Sequence, residues 1–344
     1  MSKRNELPRP KGRSITALRF ARFAARLRFT VPFGRCRSQP PPQGAGNIPA
    51  LIESAVTSMP KISVITCSYQ QAPFLELTLR SVLEQDYANL EYLVVDGGST
   101  DGSVALIESY SNQLAYHVSE KDRGQSEALN KGLRRSSGEI VGWLCSDDLL
   151  LPGSLETVAA YFAANPGIDA VYGNTILINA RGKVLKAKRE MGFSPFSILH
   201  DHNYIPQPSM FWRRSLMQEV GFLDESLHLS MDADYWMRFA LKGRVKHIST
   251  FLSCMRTHDS QKVFLDRPGV FREAELLRLR YARAIRLDGV EQLLRWYARL
   301  YRIGCRWMAH GYEYSVPDEL SRWLQELHEK YSVQSPLLNE SGSK

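Results

Sequence analysis

The chain has 344 residues, 44% hydrophobic and 23% charged, the balance of a soluble globular protein with room for one large core or two modest ones. No run approaches the ~18 apolar residues of a membrane-spanning helix, and the N-terminus lacks the apolar stretch and cleavage site of a secretory signal. The net charge of +8 is uneven: residues 1–37 hold eleven Lys or Arg against Glu6, leaving 33 basic and 35 acidic residues elsewhere. The basicity belongs to a tail, and a nucleic-acid-binding body is not expected.

The first 59 residues read as a basic N-terminal extension. "KGRSITALRFARFAARLRFTVPFGR" spaces Leu18, Phe20, Phe23, Ala24, Leu27 and Phe29 among arginines at roughly helical intervals, and "SQPPPQGAGNIP" follows as a breaker-rich linker. Two readings stand for this stretch: a basic amphipathic helix on an anionic membrane surface, or an unstructured extension.

From Lys61 strands alternate with helices. "KISVITCSY", "LEYLVVD", "LAYHVSE" and "EIVGWLCS" read as strands, and "PFLELTLRSVLEQ", "TDGSVALIESY", "GQSEALNKGLRRS" and "PGSLETVAAYFAAN" as the helices that follow them. Short connections between such elements imply right-handed βαβ units and a parallel sheet. "AVYGNTILINARGKVLKAKR" then predicts a hairpin turning at Ala180–Gly182. "QPSMFWRRSLMQEVG" predicts a strand feeding a short helix, and "MDADYWMRFALKG" a helix ended by Gly243. Beyond about Val270 the chain reads as helical. Arg278, Arg283, Arg295, Arg299, Arg302 and Arg306 lie there beside Trp296, Tyr301 and Trp307, suited to a membrane face, the sheet or a second copy. The expected division is an extension (1–59), an α/β domain (60–265) and a helical C-terminal region (266–344). The five cysteines, Cys36, Cys67, Cys145, Cys254 and Cys305, form no CxxC pair, which argues against disulfides or a zinc site and fits a reducing cytosol.

Ligands of open α/β sheets bind beyond the carboxyl ends of the strands. The predicted strands end at Thr66–Tyr69, Asp96, Glu120–Asp122 and Asp147–Asp148. One aspartate suffices to cap a helix. Two adjacent carboxylates repel each other, and a divalent cation would explain the second. Neither GxGxxG nor GxxxxGK[ST] occurs, so a dinucleotide fingerprint and a P-loop are both absent.

The blocks "ISVITCSYQQAPFLELTLRSVLEQDYANLEYLVVDGGSTDGS", "EKDRGQSEALNKGL", "GWLCSDDLLLPGSL", "IPQPSMFWRRSLMQEVGFLDESL" and "MDADYWMRFA" resemble, in order and spacing, glycosyltransferase family 2 over about residues 60–262. The resemblance implies an inverting enzyme with the α/β GT-A fold, a Rossmann-like, mostly parallel sheet with helices on both faces. Its donor is a nucleotide diphosphate sugar, and its cofactor Mn²⁺ or Mg²⁺, a hard cation suited to a diphosphate. Asp148 is then expected as metal ligand with His258 completing the sphere, and Asp147 contacts the ribose or the metal. Asp96 meets the nucleobase, Thr66 and Tyr69 flank the nucleoside, and Asp122 touches base or ribose. Asp232 is the catalytic base, and Gln207 and Ser209 face the acceptor. Two departures are Cys145, where many members carry Asp or Asn, and DGGS in place of DDGS. The resemblance further suggests a glycan or lipid-linked acceptor in bacterial cell-surface polysaccharide or glycolipid assembly. The location would be cytoplasmic or peripheral on the cytoplasmic membrane face. A non-catalytic sugar-nucleotide-binding or scaffold protein is the alternative, and it would be expected to have lost Asp148 or Asp232.

Overall fold

Strands buried on both faces are near-continuous apolar runs, and that pattern builds the centre of the sheet. The computed structural model describes residues 59–285 and 291–331, so the basic extension read from the sequence lies outside the described residues. Strand β1 (Ile62–Ser68) is buried throughout. Helix α1 (Ala72–Leu83) follows, then β2 (Leu90–Asp96), α2 (Ser103–Ser109), β3 (Tyr116–Ser119), α3 (Gln125–Arg135) and β4 (Ile140–Cys145). These four strands pair in parallel in the order β3-β2-β1-β4, as the alternation predicted.

The second half is mixed. It contains β5 (Leu149–Leu150), α4 (Ser154–Ala164), β6 (Ala170–Asn179), β7 (Val184–Lys188), α5 (Pro195–His200), β8 (Met210–Arg213), α6 (Arg214–Val220), α7 (Met231–Lys242) and β9 (Val245–Thr257). The full path is β3-β2-β1-β4-β8-β6-β9-β5, with β7 on β6. The predicted β6–β7 hairpin forms. Asn179 Oδ1 accepts from the N–H groups of Arg181 (3.0 Å) and Lys183 (2.9 Å), and Gly182 supplies the left-handed φ of +76° the turn needs.

Strand β9 is a correction: the sequence shows no strand between Gly243 and the helical C-terminal region, yet Val245–Thr257 form one of 13 residues. Its first half mixes exposed Lys246, Ser249 and Thr250 with partly buried Val245, Ile248 and Phe251, so it shows neither alternation nor an apolar run. Full burial begins only near Leu252, where β9 lies between β6 and β5.

Side chains alternate across the sheet, and helices cover both faces. Val64, Tyr92, Val94 and Leu144 pack with Leu75, Leu79 and Val82 of α1 and Leu155, Val158 and Phe162 of α4. Ile65, Leu93, Trp143 and Trp212 pack on the other face with Leu129 and Leu133 of α3 and Tyr235, Trp236 and Phe239 of α7. Trp143 stacks on Trp236 at 5.3 Å between ring centroids, and Trp212 meets Trp143 edge-on, also at 5.3 Å. We expect Trp236→Ala to lower unfolding free energy by about 3–5 kcal/mol in a denaturant titration, because the site is fully buried and rigidly packed.

The C-terminal helices α8 (Lys262–Leu265), α9 (Arg267–Ile285), α10 (Glu291–Met308) and α11 (Asp318–Tyr331) dock on this domain. In α9, Arg280 Nη1 and Tyr281 Oη both donate to buried Asp234 Oδ1 at 2.7 Å. Asp234 therefore ties α9 to α7 and does not cap its own helix. Leu324 and Leu327 of α11 pack against Leu77 of α1.

Candidate active site

The parallel register lines up the strand ends: Ser68 opposite Asp96, Asp96 opposite Ser119, and Cys67 opposite Cys145. Beyond this rim the expected residues separate into those that face it and those spent on structure.

Asp96 is fully buried. Its Oδ2 accepts from Gly98 N (3.0 Å), Ser99 N (2.8 Å) and Ser119 Oγ (2.7 Å), and its Oδ1 from Ser99 Oγ (2.6 Å). This carboxylate stitches the Gly97–Ser99 turn to the end of β3. Thr66 is likewise buried: its hydroxyl sits in β1, 2.9 Å from Tyr92 Oη. Ser209, fully buried just before β8, donates to Asn174 O of β6 (3.0 Å) and shares a 2.6 Å hydrogen bond with Ser253 Oγ of β9.

Tyr69 and Asp122 do meet at the rim. A Cβ built on Gly97 would stand 2.7 Å from Asp122 Oδ2 and 3.2 Å from Tyr69 Cδ2. The glycine that departs from the DDGS pattern therefore makes room for the Asp122 carboxylate, which takes the place beside Tyr69. Burial raises the Asp122 carboxyl, against the Gly124 N–H donated to its Oδ1 (2.9 Å) and the ammonium groups of Lys131 and Lys262.

Past β4, Cys145 Sγ and the carboxylate oxygens of Asp147 and Asp148 lie within 4.8 Å of one another. Asp148 is buried and its Oδ1 accepts from Arg256 N at 2.9 Å. Burial pushes its carboxyl well above the usual range, and the charge of Asp147 adds to the push. Burial would also raise Asp147, but His258 Nε2 and Gln261 Nε2, each 3.1 Å from its Oδ2, outweigh that and hold it below. Two acidic oxygen donors of unlike ionisation, one opposed by burial, fit a divalent cation, whose charge would stabilise both carboxylates. His258 lies next to this pair. It stands behind Asp147, its ring 4.7 Å from Phe74 and its Nδ1 2.7 Å from Ser260 Oγ, outside the three-residue donor group. Gln207 also arrives, its Oε1 accepting from Cys145 Sγ (3.3 Å) and its Nε2 bound to Trp143 O (2.8 Å).

Asp232 opens α7 and is partly buried. Its Oδ2 accepts from Asn203 Nδ2 at 2.7 Å and its Oδ1 from Ala233 N at 2.8 Å. Burial raises its carboxyl to about 6 against these hydrogen bonds, and the negative charge of Glu273 adds to the rise. The neighbouring Met231 Sδ accepts from Ser126 Oγ, beside the Gln125 amide that donates to Cys145 Sγ (3.2 Å), so α3 links the base to the β4 rim.

Several residues here carried no mark in the sequence. Asn203 fixes Asp232. Glu273 of α9 accepts from the N–H groups of His228, Leu229 and Ser230 at 2.7–2.9 Å, ordering the loop that enters α7. Arg256, fully buried, donates from Nε to Asp147 O (2.8 Å) behind the carboxylate pair. Asn203 and Arg256 lie only two residues from Ile205 and His258 in sequence, but the carboxylates they bond are brought to them by the fold.

Residues 63–221 match the family model described as Glycosyl transferase family 2. An uncharacterized glycosyltransferase of Rickettsia typhi is 29% identical over 214 residues, 60% of this chain and 66% of the relative. The GalNAc(5)-diNAcBac-PP-undecaprenol beta-1,3-glucosyltransferase of Campylobacter jejuni is 33% identical over 48% of this chain and 56% of its own length. Among solved structures, S. aureus TarS 1–349 in complex with UDP superposes with a TM-score of 0.52 at 21% identity, covering 68% of each chain. The mannosyltransferase PcManGT of Pyrobaculum calidifontis, in complex with GDP-Man and Mn²⁺, gives 0.50 at 21% identity over 82% of this chain and 78% of that one.

Proposed function

From the resemblance of residues 63–221 to glycosyltransferase family 2, carried on an α/β fold of the GT-A kind, we propose that the chain is an inverting, metal-dependent sugar transferase. The donor is a nucleotide diphosphate sugar and the acceptor a hydroxyl on a glycan or lipid-linked saccharide. The observation that carries this reading is the division of labour among the carboxylates. Asp147 and Asp148 lie past β4 close enough to share a cation, Asp122 and Tyr69 both border Gly97, and the Asp232 carboxyl is raised to about 6 on a separate helix.

In this reading Tyr69 and Asp122 receive the nucleoside. Asp147 and Asp148 hold Mn²⁺ or Mg²⁺, which when bound neutralises charge on the departing diphosphate. Lys262, exposed at the start of α8 and close enough to favour an ionised Asp122, adds positive charge there. Asp232 takes the acceptor proton as the hydroxyl oxygen attacks the anomeric carbon. The bond to the diphosphate oxygen breaks with its electron pair, and one in-line displacement inverts the centre. The relative named for a PP-undecaprenol substrate supports a lipid-linked acceptor; assembly of a cell-surface polysaccharide or glycolipid is the proposed setting.

An ionised base makes kcat/KM rise with pH through about 6 and level off above it. Asn203→Leu removes a hydrogen bond that favours the carboxylate, so we expect the acid limb to move to higher pH. Glu273→Gln removes a repelling charge and moves it lower. Unchanged limbs in both pH profiles contradict the assignment of Asp232. The reading as a whole is tested by calorimetry with UDP, GDP and dTDP, with and without Mn²⁺. Metal-dependent binding of one nucleotide supports it. No nucleotide binding under any condition favours a transferase-shaped scaffold.

A further inference from the structure

Helix α10 carries large apolar side chains where a soluble helix carries polar ones. Leu293, Trp296, Leu300, Ile303 and Trp307 recur at alternating steps of three and four residues, and all are exposed, Trp296 by 60% and Trp307 by 75%. At about 100° per residue they occupy an arc of roughly 80°, and at ~1.5 Å per residue the stripe is about 21 Å long. The opposite face is pinned to the domain. Ala298 is fully buried, and Arg302 Nε donates to Asp201 Oδ2 at 2.5 Å. The stripe is therefore held outward by packing on its far side.

We propose that this stripe of α10 is the surface by which the protein lies on an anionic lipid bilayer, with the helix axis in the plane of the headgroups. Charge decides among occupants. Arg299 flanks the stripe along one edge and is exposed, and residues 1–37 add ten net positive charges to the same chain. A second copy packed stripe to stripe would bring like charges together, whereas anionic headgroups neutralise them. Tryptophans near both ends suit the interface, where an apolar ring and a polar N–H are satisfied together. The contact also reaches the chemistry. Asp201, the partner of Arg302, lies two residues before Asn203, which holds Asp232. A bilayer under α10 would thus sit close to the loop that fixes the acceptor base. The inference rests on the transferase reading only in what the surface serves, the delivery of a lipid-linked acceptor.

The test is flotation of the full chain with vesicles of phosphatidylcholine alone and of phosphatidylcholine mixed with phosphatidylglycerol. We expect wild type to float with the anionic vesicles and not with the neutral ones. Trp296→Ser with Trp307→Ser should reduce the bound fraction at least about tenfold, with an unchanged circular dichroism melt and unchanged monomer mass. Wild type that fails to float overturns the proposal. So does a double variant that floats like wild type, which would assign binding to the basic extension alone. A dimer in light scattering that the double variant loses, without vesicle binding, assigns the stripe to a second copy. Loss of nucleotide binding in calorimetry would sink the transferase reading while leaving the flotation result standing, so the two failures are distinguishable.

Discussion

If Asp232 is the proposed base, Asp232→Asn is expected to lower kcat for sugar transfer by about 10²–10⁴-fold while leaving donor affinity within about twofold. The substitution keeps the shape of the side chain. Its amide oxygen can still accept from Asn203 or from Ala233 N, so the start of α7 stays ordered. What disappears is the ability to take a proton. A carboxyl raised to about 6 is a strong enough base to receive the acceptor proton and is still ionised at neutral pH. Asp234, two residues on, is the control. It is buried against Arg238, Arg280 and Tyr281, so Asp234→Asn should lower the melting temperature and leave the pH profile in place. A single-turnover assay with wild type, Asp232→Asn and Asp234→Asn separates the two roles. If Asp232→Asn keeps kcat within about tenfold, the base lies elsewhere.

The second large effect is on binding. Asp148→Asn should abolish the metal-dependent part of donor affinity, a loss of at least about 10²-fold in calorimetry with Mn²⁺. Asn is preferred to Ala because its oxygen can keep the 2.9 Å bond from the backbone N–H of Arg256, a buried donor that should not lose its acceptor. The removed charge is the one that burial and Asp147 oppose most strongly, so its ionisation and the cation should be linked. Equal nucleotide affinity in EDTA and in Mn²⁺ for wild type would falsify the metal assignment and leave Asp148 a structural acid. His258→Ala should act more weakly, through loss of the hydrogen bond that keeps Asp147 ionised.

Much of the architecture could be read along the chain because it depends on local pattern. The apolar runs at Ile62–Ser68, Leu90–Asp96 and Ile140–Cys145 became parallel strands, and the amphipathic stretches between them became the covering helices. Gly182 marked the hairpin turn through its backbone freedom. Short or half-exposed elements escaped, since Leu149–Leu150 spans too few residues to show a period and β9 mixes exposed polar with partly buried apolar residues over its first half.

At the site the sequence by itself determined which carboxylates end at the carboxyl rim of the sheet, because strand ends follow from period and length. It could not determine which of them are free to meet a ligand. Asp96 and Asp147 look alike in their motifs. One is saturated by Gly98, Ser99 and Ser119, while the other faces Cys145 and Asp148 and is held by His258 and Gln261. Thr66 and Ser209 turned inward for the same reason, since a buried hydroxyl must find a partner and the neighbouring strand supplies one. Only the tertiary structure brought Asn203, Arg256 and Glu273 to the carboxylates they govern. Burial and long-range hydrogen bonding set the protonation and orientation of a side chain, and both depend on residues remote in the chain that folding makes adjacent.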